Sequence, residues 1–414
     1  MSINSFYKKG KFNQFIAFLF VLLVFNSNIT AQVEPNNKYK VIYPTDIKTG
    51  AEKTTQYLPM IEGKSIAVLV NQSSVLNNVH LVDSLLSLGI KVKKVFCPEH
   101  GFRGDADAGE LVKNYTDKTT HLPIISLYGN NKKPKVADLK GIDVVVFDLQ
   151  DVGARFYTYI STMHYMMETC AENNIKLIIL DRPNPNGFYV DGPILESQYK
   201  SFVGMHNVPV VHGMTVGEYA SMINEEGWLA NKVKTDLTII KIDGYTHNDL
   251  YQLPIKPSPN LSTMEAIYLY PSLCFFEGTV ISVGRGTDKP FSIIGHPELK
   301  NHSFNFTPKS IPGASKNPPY EGILCKGYDL TDYGKNFILN SPRLHLQWLI
   351  KTYEDSPDKN AYFNPFFNNL AGNAKLRQQI SAGLSEQEIR KTWQADLEKF
   401  KQLRKKYLLY IDFE

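Results

Sequence analysis

Only four cysteines occur in 414 residues, at positions 97, 170, 274 and 325, and none forms a C-x-x-C pair or a Cys/His pair. That argues against a zinc site built on thiolates. The dispersed spacing leaves the disulfide state open, although most of the four read as small buried thiols, Cys97 and Cys170 falling in or beside apolar segments. No G-x-G-x-x-G follows the first strand-like segment, and Walker A, G-x-S-x-G and H-E-x-x-H are missing as well. The usual fingerprints of dinucleotide binding, P-loop chemistry, a serine nucleophile elbow and a zinc protease are therefore absent. Charge of one sign does not dominate: 45 Lys and Arg face 41 Asp and Glu, a net of +4. The lysines are scattered apart from Lys132-Lys133 and Lys405-Lys406, which read as solvated faces, so no nucleic-acid partner is expected. The apolar run 15–25 is too short to span a bilayer comfortably. It follows Lys8, Lys9 and Lys11 and precedes a polar stretch ending Ala31-Gln32. Such a pattern describes a secretory signal peptide cut after Ala31, with Ile29 a looser fit at the position three before the cut. The expectation is an exported protein, periplasmic or secreted, with no stable membrane insertion after cleavage. No internal repeats are evident.

What remains is ordinary globular material, 43% hydrophobic and 21% charged, and long enough for two domains. Short apolar runs at 66–70, 92–96, 124–127, 142–149 and 175–180 read as strands. Helical spacing at 79–88 and 160–173 separates some of them. Strands alternating with helices predict an α/β fold: a Rossmann-like parallel sheet with helices on both faces. Beyond Pro254 the texture changes, with Pro257, Pro259 and Pro271 punctuating a stretch of little periodicity. The expected organisation is a signal peptide at 1–31, a Rossmann-like catalytic domain at 32–262 and a smaller α+β auxiliary domain at 263–414 that closes a cleft. Near the end, 385–406 reads as an amphipathic helix, with Ser385 as N-cap and Glu388 completing a capping box.

The strand ends are polar. Asn71-Gln72-Ser73-Ser74, Pro98-Glu99-His100-Gly101, Tyr128-Gly129, Asp148-Leu149-Gln150-Asp151 and Asp181-Arg182-Pro183-Asn184 all fall there. In a parallel sheet these ends share one edge, and ligands bind outside it. Glu99 and His100 head the densest group, and Gly101 and Gly104 allow a tight turn. A carboxyl group there, walled by Phe96 and Phe102, could be poorly solvated, hold its proton and act as general acid; the alternative is an ion pair of Glu99 with Arg103. The second group joins Asp148, Asp151, Arg155, Tyr157 and Tyr159. Asp151 reads either as a catalytic carboxylate or as a helix cap, and the planar fork of Arg155 suits a substrate carboxylate. Arg182, His212, Glu277 and Arg285 complete the candidates for substrate binding, with Asn71, Arg103, Asp148 and Tyr157. Glu218 reads as part of a helix begun near Thr215. A metal site from His100, Asp105, Asp107 and Asp148 is conceivable but lacks tight ligand spacing, so no metal or organic cofactor is expected.

Seven strings in order, VNQSS, FCPEHGFRG, SLYG, VFDLQDVGARFYTYISTM, DRPNPNG, VHGMTVGEYA and FEGTVISVGRGTDKPF, resemble the exo-β-N-acetylmuramidase (NamZ-type) family of peptidoglycan hydrolases over roughly residues 45–414. The resemblance implies a Rossmann-like domain with a smaller auxiliary domain and a cleft between them. It implies release of N-acetylmuramic acid from the non-reducing end of peptidoglycan fragments, with a glycan or muropeptide as substrate. It also implies a catalytic glutamate at Glu99, in the Pro-Glu-His-Gly string. Glycoside hydrolysis usually needs a second carboxyl group, for which Asp151, Asp148 and Glu277 are candidates; the substrate's own acetamido group is another. An arginine among Arg103, Arg155, Arg182 and Arg285 would read the lactyl carboxylate that distinguishes muramic acid from glucosamine. Polar strand ends also suit a non-catalytic binder of acidic glycans or a metal-dependent ester or amide hydrolase.

Overall fold

A computed structural model describes residues 39–104, 114–300 and 302–414. The signal-peptide reading of 1–31 and the candidate ligands Asp105 and Asp107 lie outside the described residues. The central sheet has seven strands: β1 (Ser65–Val70), β2 (Lys91–Cys97), β3 (Tyr115–Thr116), β4 (Pro123–Ser126), β5 (Val144–Asp148), β6 (Lys176–Leu180) and β7 (Leu237–Ile240). Their spatial order is β7-β6-β5-β1-β2-β4-β3. All neighbours run parallel except the short edge strand β3, antiparallel to β4. From β1 the chain builds outward through β2 to β4, then returns to β5 on the other side of β1. The strand order thus reverses between β1 and β5, which marks the place where such folds bind ligands.

Residue alternation explains why both faces are covered. Ile66, Val68 and Val70 of β1 belong to one apolar core, and Ala67 and Leu69 belong to the other. Side chains of successive strand residues point to opposite faces, so a strand covered on both sides must be apolar throughout. Val68 and Val146 are fully buried; each such side chain contributes about 1.5–3 kcal/mol. Helix α1 (Leu81–Ser87) packs Leu81, Val82 and Leu85 into the first core. Helix α2 (Tyr159–Glu172) packs Met163, Met166, Met167 and Cys170 into the second.

Helix α3 (Val216–Glu225) opens on Thr215, whose hydroxyl accepts from the Glu218 N–H, while the Glu218 carboxylate takes the Thr215 N–H at 2.9 Å. Helix α4 (Met264–Leu273) opens on Thr263. A small antiparallel sheet follows, from β8 (Ile293–His296), β9 (Phe304–Phe306) and β10 (Cys325–Asp329), in the order β8-β10-β9. Among the described residues no helix is long and apolar enough to cross a membrane. The helix expected over 385–406 is two helices, Glu386–Lys391 and Gln394–Lys405. Ser385 caps the first and forms the box with Glu388. Between the two, Trp393 is buried and its indole N–H reaches Asp191 at 3.2 Å; that tertiary contact breaks the helical run. All four cysteines are buried free thiols.

Candidate active site

A cavity of about 560 Å³ opens at the C-terminal edge of the sheet. The turn after β2 brings Glu99 and His100 to it. The turn after β4 brings Tyr128, Gly129, Asn130 and Lys132, and the loop after β5 brings Phe156 to Tyr159. The far wall comes from later in the chain: Tyr270, Cys274, Glu277, Arg285 and Phe291. A second cavity of about 400 Å³, lined by Ile194, Leu195, Trp393 and Phe400, lies away from these strand ends.

Backbone geometry aims Glu99. His100 has φ 71° and Gly101 φ 78°, two successive left-handed residues, and the Gly101 N–H closes the turn on the Pro98 carbonyl at 3.1 Å. The left-handed region is unfavourable for a residue with a Cβ, so His100 stores strain of the kind found at functional turns. Glu99 is half-buried. Its Oε2 accepts from the Thr158 hydroxyl at 3.2 Å, and Tyr128 also hydrogen-bonds to it. Burial, followed by the negative charge of Glu99, pushes the Tyr128 phenol well above its ordinary pKa, so it stays a neutral donor. Glu277 also acts electrostatically on Tyr128, so the Tyr128 hydroxyl feels both carboxylates. Phe96 and Phe102 do not supply the expected wall. Phe96 sits in one sheet core, and Phe102 sits in the other, edge-on to His80. The side chain of residue 96 follows the strand's alternation away from the cavity, which is walled by Phe156, Tyr157 and Tyr159 instead.

Glu277 and Arg285 face each other within the cavity. The Arg285 Nε–H donates to Glu277 Oε1 at 2.7 Å, and Nη2 lies 2.7 Å from the same oxygen. The Cys274 thiol donates to Glu277 Oε2 at 3.7 Å. Burial lowers the Arg285 pKa, but the adjacent Glu277 carboxylate more than offsets this, leaving a net rise and a permanent cation. Its Nη1 is buried without a hydrogen-bond partner. The same two side chains border a smaller cavity of about 220 Å³ next to Thr279, Val283 and Tyr320.

Several residues expected in the site are committed elsewhere. Arg155 is 1% exposed, and its guanidinium donates to four backbone carbonyls, of Pro193, Val208, Leu370 and Ala371, at 2.7–3.0 Å. Burial lowers its pKa to about 9, so it remains charged at neutral pH, but it ties the β5 loop to 193–208 and 370–371 rather than meeting a ligand. Arg182 and Asp148 pair with each other, Nε to Oδ1 at 2.5 Å and Nη2 to Oδ2 at 2.9 Å, both buried. Together with the Ser74 hydroxyl on the Asp148 carbonyl, this pair knits the β1, β5 and β6 ends. Arg103 pairs with Asp117 at 3.1 Å, not with Glu99. Asn71 donates to the Tyr159 hydroxyl at 2.8 Å and accepts from Ser73. His212 is buried against Tyr219, and burial drops its pKa to about 3, so it is neutral.

Asp151 neither lines the cavity nor caps α2, whose N-cap is Thr158. Its Oδ1 accepts the Gly153 N–H at 2.7 Å, while Oδ2 is buried without a partner. Burial pushes its pKa to about 7. Of the expected site residues, then, the cavity gathers Glu99, His100, Tyr157, Glu277 and Arg285. Tyr157 is pinned, its hydroxyl donating to the Pro257 carbonyl at 3.0 Å. Tyr128, Thr158, Tyr270 and Cys274 went unassigned in the sequence. Tyr128 carried one signal, its place at a strand end. Among the described residues no three His, Cys, Asp or Glu side chains cluster as metal ligands.

Comparison with known proteins agrees with this architecture. Residues 66–265 match the family model described as exo-β-N-acetylmuramidase NamZ, N-terminal, and residues 268–410 match its C-terminal counterpart. The peptidoglycan β-N-acetylmuramidase NamZ of Bacillus subtilis (strain 168) is 40% identical over 418 aligned positions, covering 95% of this chain and 99% of that protein. Two crystal structures of DUF1343 family proteins from Bacteroides fragilis NCTC 9343 are similar. One has a TM-score of 0.82 at 46% identity, the other 0.73 at 28%, and each alignment covers 88% of this chain and 99% of the other. The chain therefore belongs to the exo-β-N-acetylmuramidase NamZ family.

Proposed function

We propose that the protein is an exo-acting glycoside hydrolase that releases N-acetylmuramic acid from the non-reducing end of peptidoglycan glycan fragments. The observation that carries this reading is the convergence of Glu99, from the N-terminal family segment, and Glu277, from the C-terminal one, on a single cavity around Tyr128. Glycoside hydrolysis usually asks for two carboxyl groups at the sugar site, and this cavity is lined by two. The named activity of the Bacillus subtilis relative supports the substrate.

Glu99 is the general acid. Its position is fixed by β2, a strained turn and the Tyr128 and Thr158 hydroxyls. It gives its proton to the glycosidic oxygen as the bond to the anomeric carbon breaks, so that the departing sugar leaves as an alcohol, and the oxygen of a water ends on the anomeric carbon while its proton passes to a carboxylate of the pair. Glu277 replaces Asp151 as the partner carboxylate, oriented by Arg285 and Cys274. Of the four candidate arginines only Arg285 lines the cavity, and its permanently charged guanidinium suits the lactyl carboxylate. The amino-terminal segment 1–31 directs export, which would place the enzyme where its substrate lies.

Product analysis tests the reading. The enzyme is incubated with nitrophenyl β-N-acetylmuramide, with the matching N-acetylglucosaminide, and with a muramoyl-terminated tetrasaccharide. Cleavage of the first, sparing of the second and release of free N-acetylmuramic acid from the non-reducing end of the third are expected. Binding of these glycans without turnover would make the protein a glycan receptor instead.

A further inference from the structure

The adjacent lysines 132 and 133 look alike in the sequence but are used differently. Lys133 turns to α2, pairing with Glu168 at 3.0 Å and Glu172 at 2.7 Å. Lys132 lines the active-site cavity, and its ammonium sits 4.7 Å from the centre of the Phe202 ring. Among the described residues no carboxylate pairs with Lys132. Phe202 also lines the cavity and is held flat: Tyr165 stacks on it at 6.3 Å with planes 12° apart, and Tyr128 packs at 6.5 Å. Lys132 and Phe202 are half-buried and Asn130 beside them is exposed, so this platform is at the rim of the cavity. Tyr128 joins it directly to the acid Glu99.

We infer that Phe202 and Lys132 form the subsite for the departing part of the glycan: the first leaving sugar, an N-acetylglucosamine, packs against Phe202, and Lys132 pairs with the lactyl carboxylate of the muramic acid unit that follows. The inference rests on the proposed function, in which a glycan cleaved at its non-reducing end sends the rest of its chain outward past Glu99. The geometry suits it. A cation resting over an aromatic face is held mainly by the ring's quadrupole, an attraction that leaves its charge available to an arriving anion. A rigid ring costs little conformational entropy when a sugar settles on it. The chain leaving a muramoyl-terminated tetrasaccharide carries one lactyl carboxylate; the sugar leaving a disaccharide carries none. Lys132 can therefore tell chain length by charge.

The test compares KM for the disaccharide and the tetrasaccharide in wild type, Lys132→Gln and Lys133→Gln. Wild type should favour the tetrasaccharide at low salt. Lys132→Gln should reduce that preference about fivefold, the range of a partly exposed ion pair, whereas Lys133→Gln should preserve it. The wild-type preference should also shrink in 0.5 M salt, where charges are screened within about 4 Å. Phe202→Leu should raise KM for the disaccharide more than for methyl β-N-acetylmuramide. If wild type cleaves both glycans and Lys132→Gln keeps the full preference, the subsite is wrong while the hydrolase reading stands. If wild type cleaves neither, both fall.

Discussion

The Arg285 Nε–H donates to Glu277 Oε1 at 2.7 Å, and both side chains line the active-site cavity. One guanidinium thus positions a carboxylate and holds a positive charge at the cavity wall. Arg285→Ala should therefore do two things at once. It should reduce kcat by unseating Glu277 and erase the preference for N-acetylmuramide over N-acetylglucosaminide. Glu277→Gln should lower kcat about 10²-fold or more and keep the preference. Steady-state kinetics on the two nitrophenyl glycosides separate the variants; retained preference in Arg285→Ala would remove carboxylate readout from Arg285.

Arg155 should behave as a structural residue. Replacement by Ala would leave four buried carbonyls without their donor. A loss of about 3–5 kcal/mol is expected, read as a lower denaturation midpoint in urea. Lysine should rescue little, because a single ammonium cannot reach all four acceptors in the fork geometry.

Asp151 should make stability fall with pH. Burial raises its folded-state pKa from 3.8 to about 7, against the opposing Gly153 and Val152 N–H groups. A raised pKa means the folded chain holds the proton more tightly. The contribution is complete below about pH 4 and is lost as pH rises through 7. Asp151→Asn cannot ionise, so its stability relative to wild type should improve by about 2–4 kcal/mol between pH 4 and pH 8. Urea melts across that range check it; parallel curves would mean Asp151 does not titrate there.

Chelation should leave activity intact. Asp148, one of the conceivable ligands, has both carboxylate oxygens on Arg182. Dialysis against EDTA followed by the nitrophenyl assay decides the point, and loss restored by a divalent ion would contradict it.

Much of this was legible in the sequence because sheets and turns write themselves locally. Short, β-branched apolar runs bounded by turn residues, such as 66–70, fit strands covered on both faces, and a polar residue just after such a run, as Glu99 is after 92–96, falls at the sheet's edge. Which way such residues turn was not legible. Asp148, Arg182 and Arg155 have the same chemistry whether they face a ligand or one another, and only three-dimensional packing supplies the four carbonyls around Arg155. Glu277 and Arg285 lie far along the chain from Glu99, so their meeting depends on how the later segments fold back. Tyr128 and Cys274 gave almost no chemical signal of their own; position beside a carboxylate makes them relevant.

The most direct test is kinetic, on Glu99→Gln. This variant keeps the size of the side chain and an oxygen to accept from Tyr128 and Thr158, but it has no proton to deliver to the departing oxygen. On a muramoyl disaccharide, whose leaving group needs that proton, kcat should fall about 10²–10⁴-fold. On nitrophenyl β-N-acetylmuramide, whose leaving group needs little protonation, the loss should be much smaller. Equal losses on both substrates, or a near-wild-type rate on the disaccharide, would contradict Glu99 as the general acid.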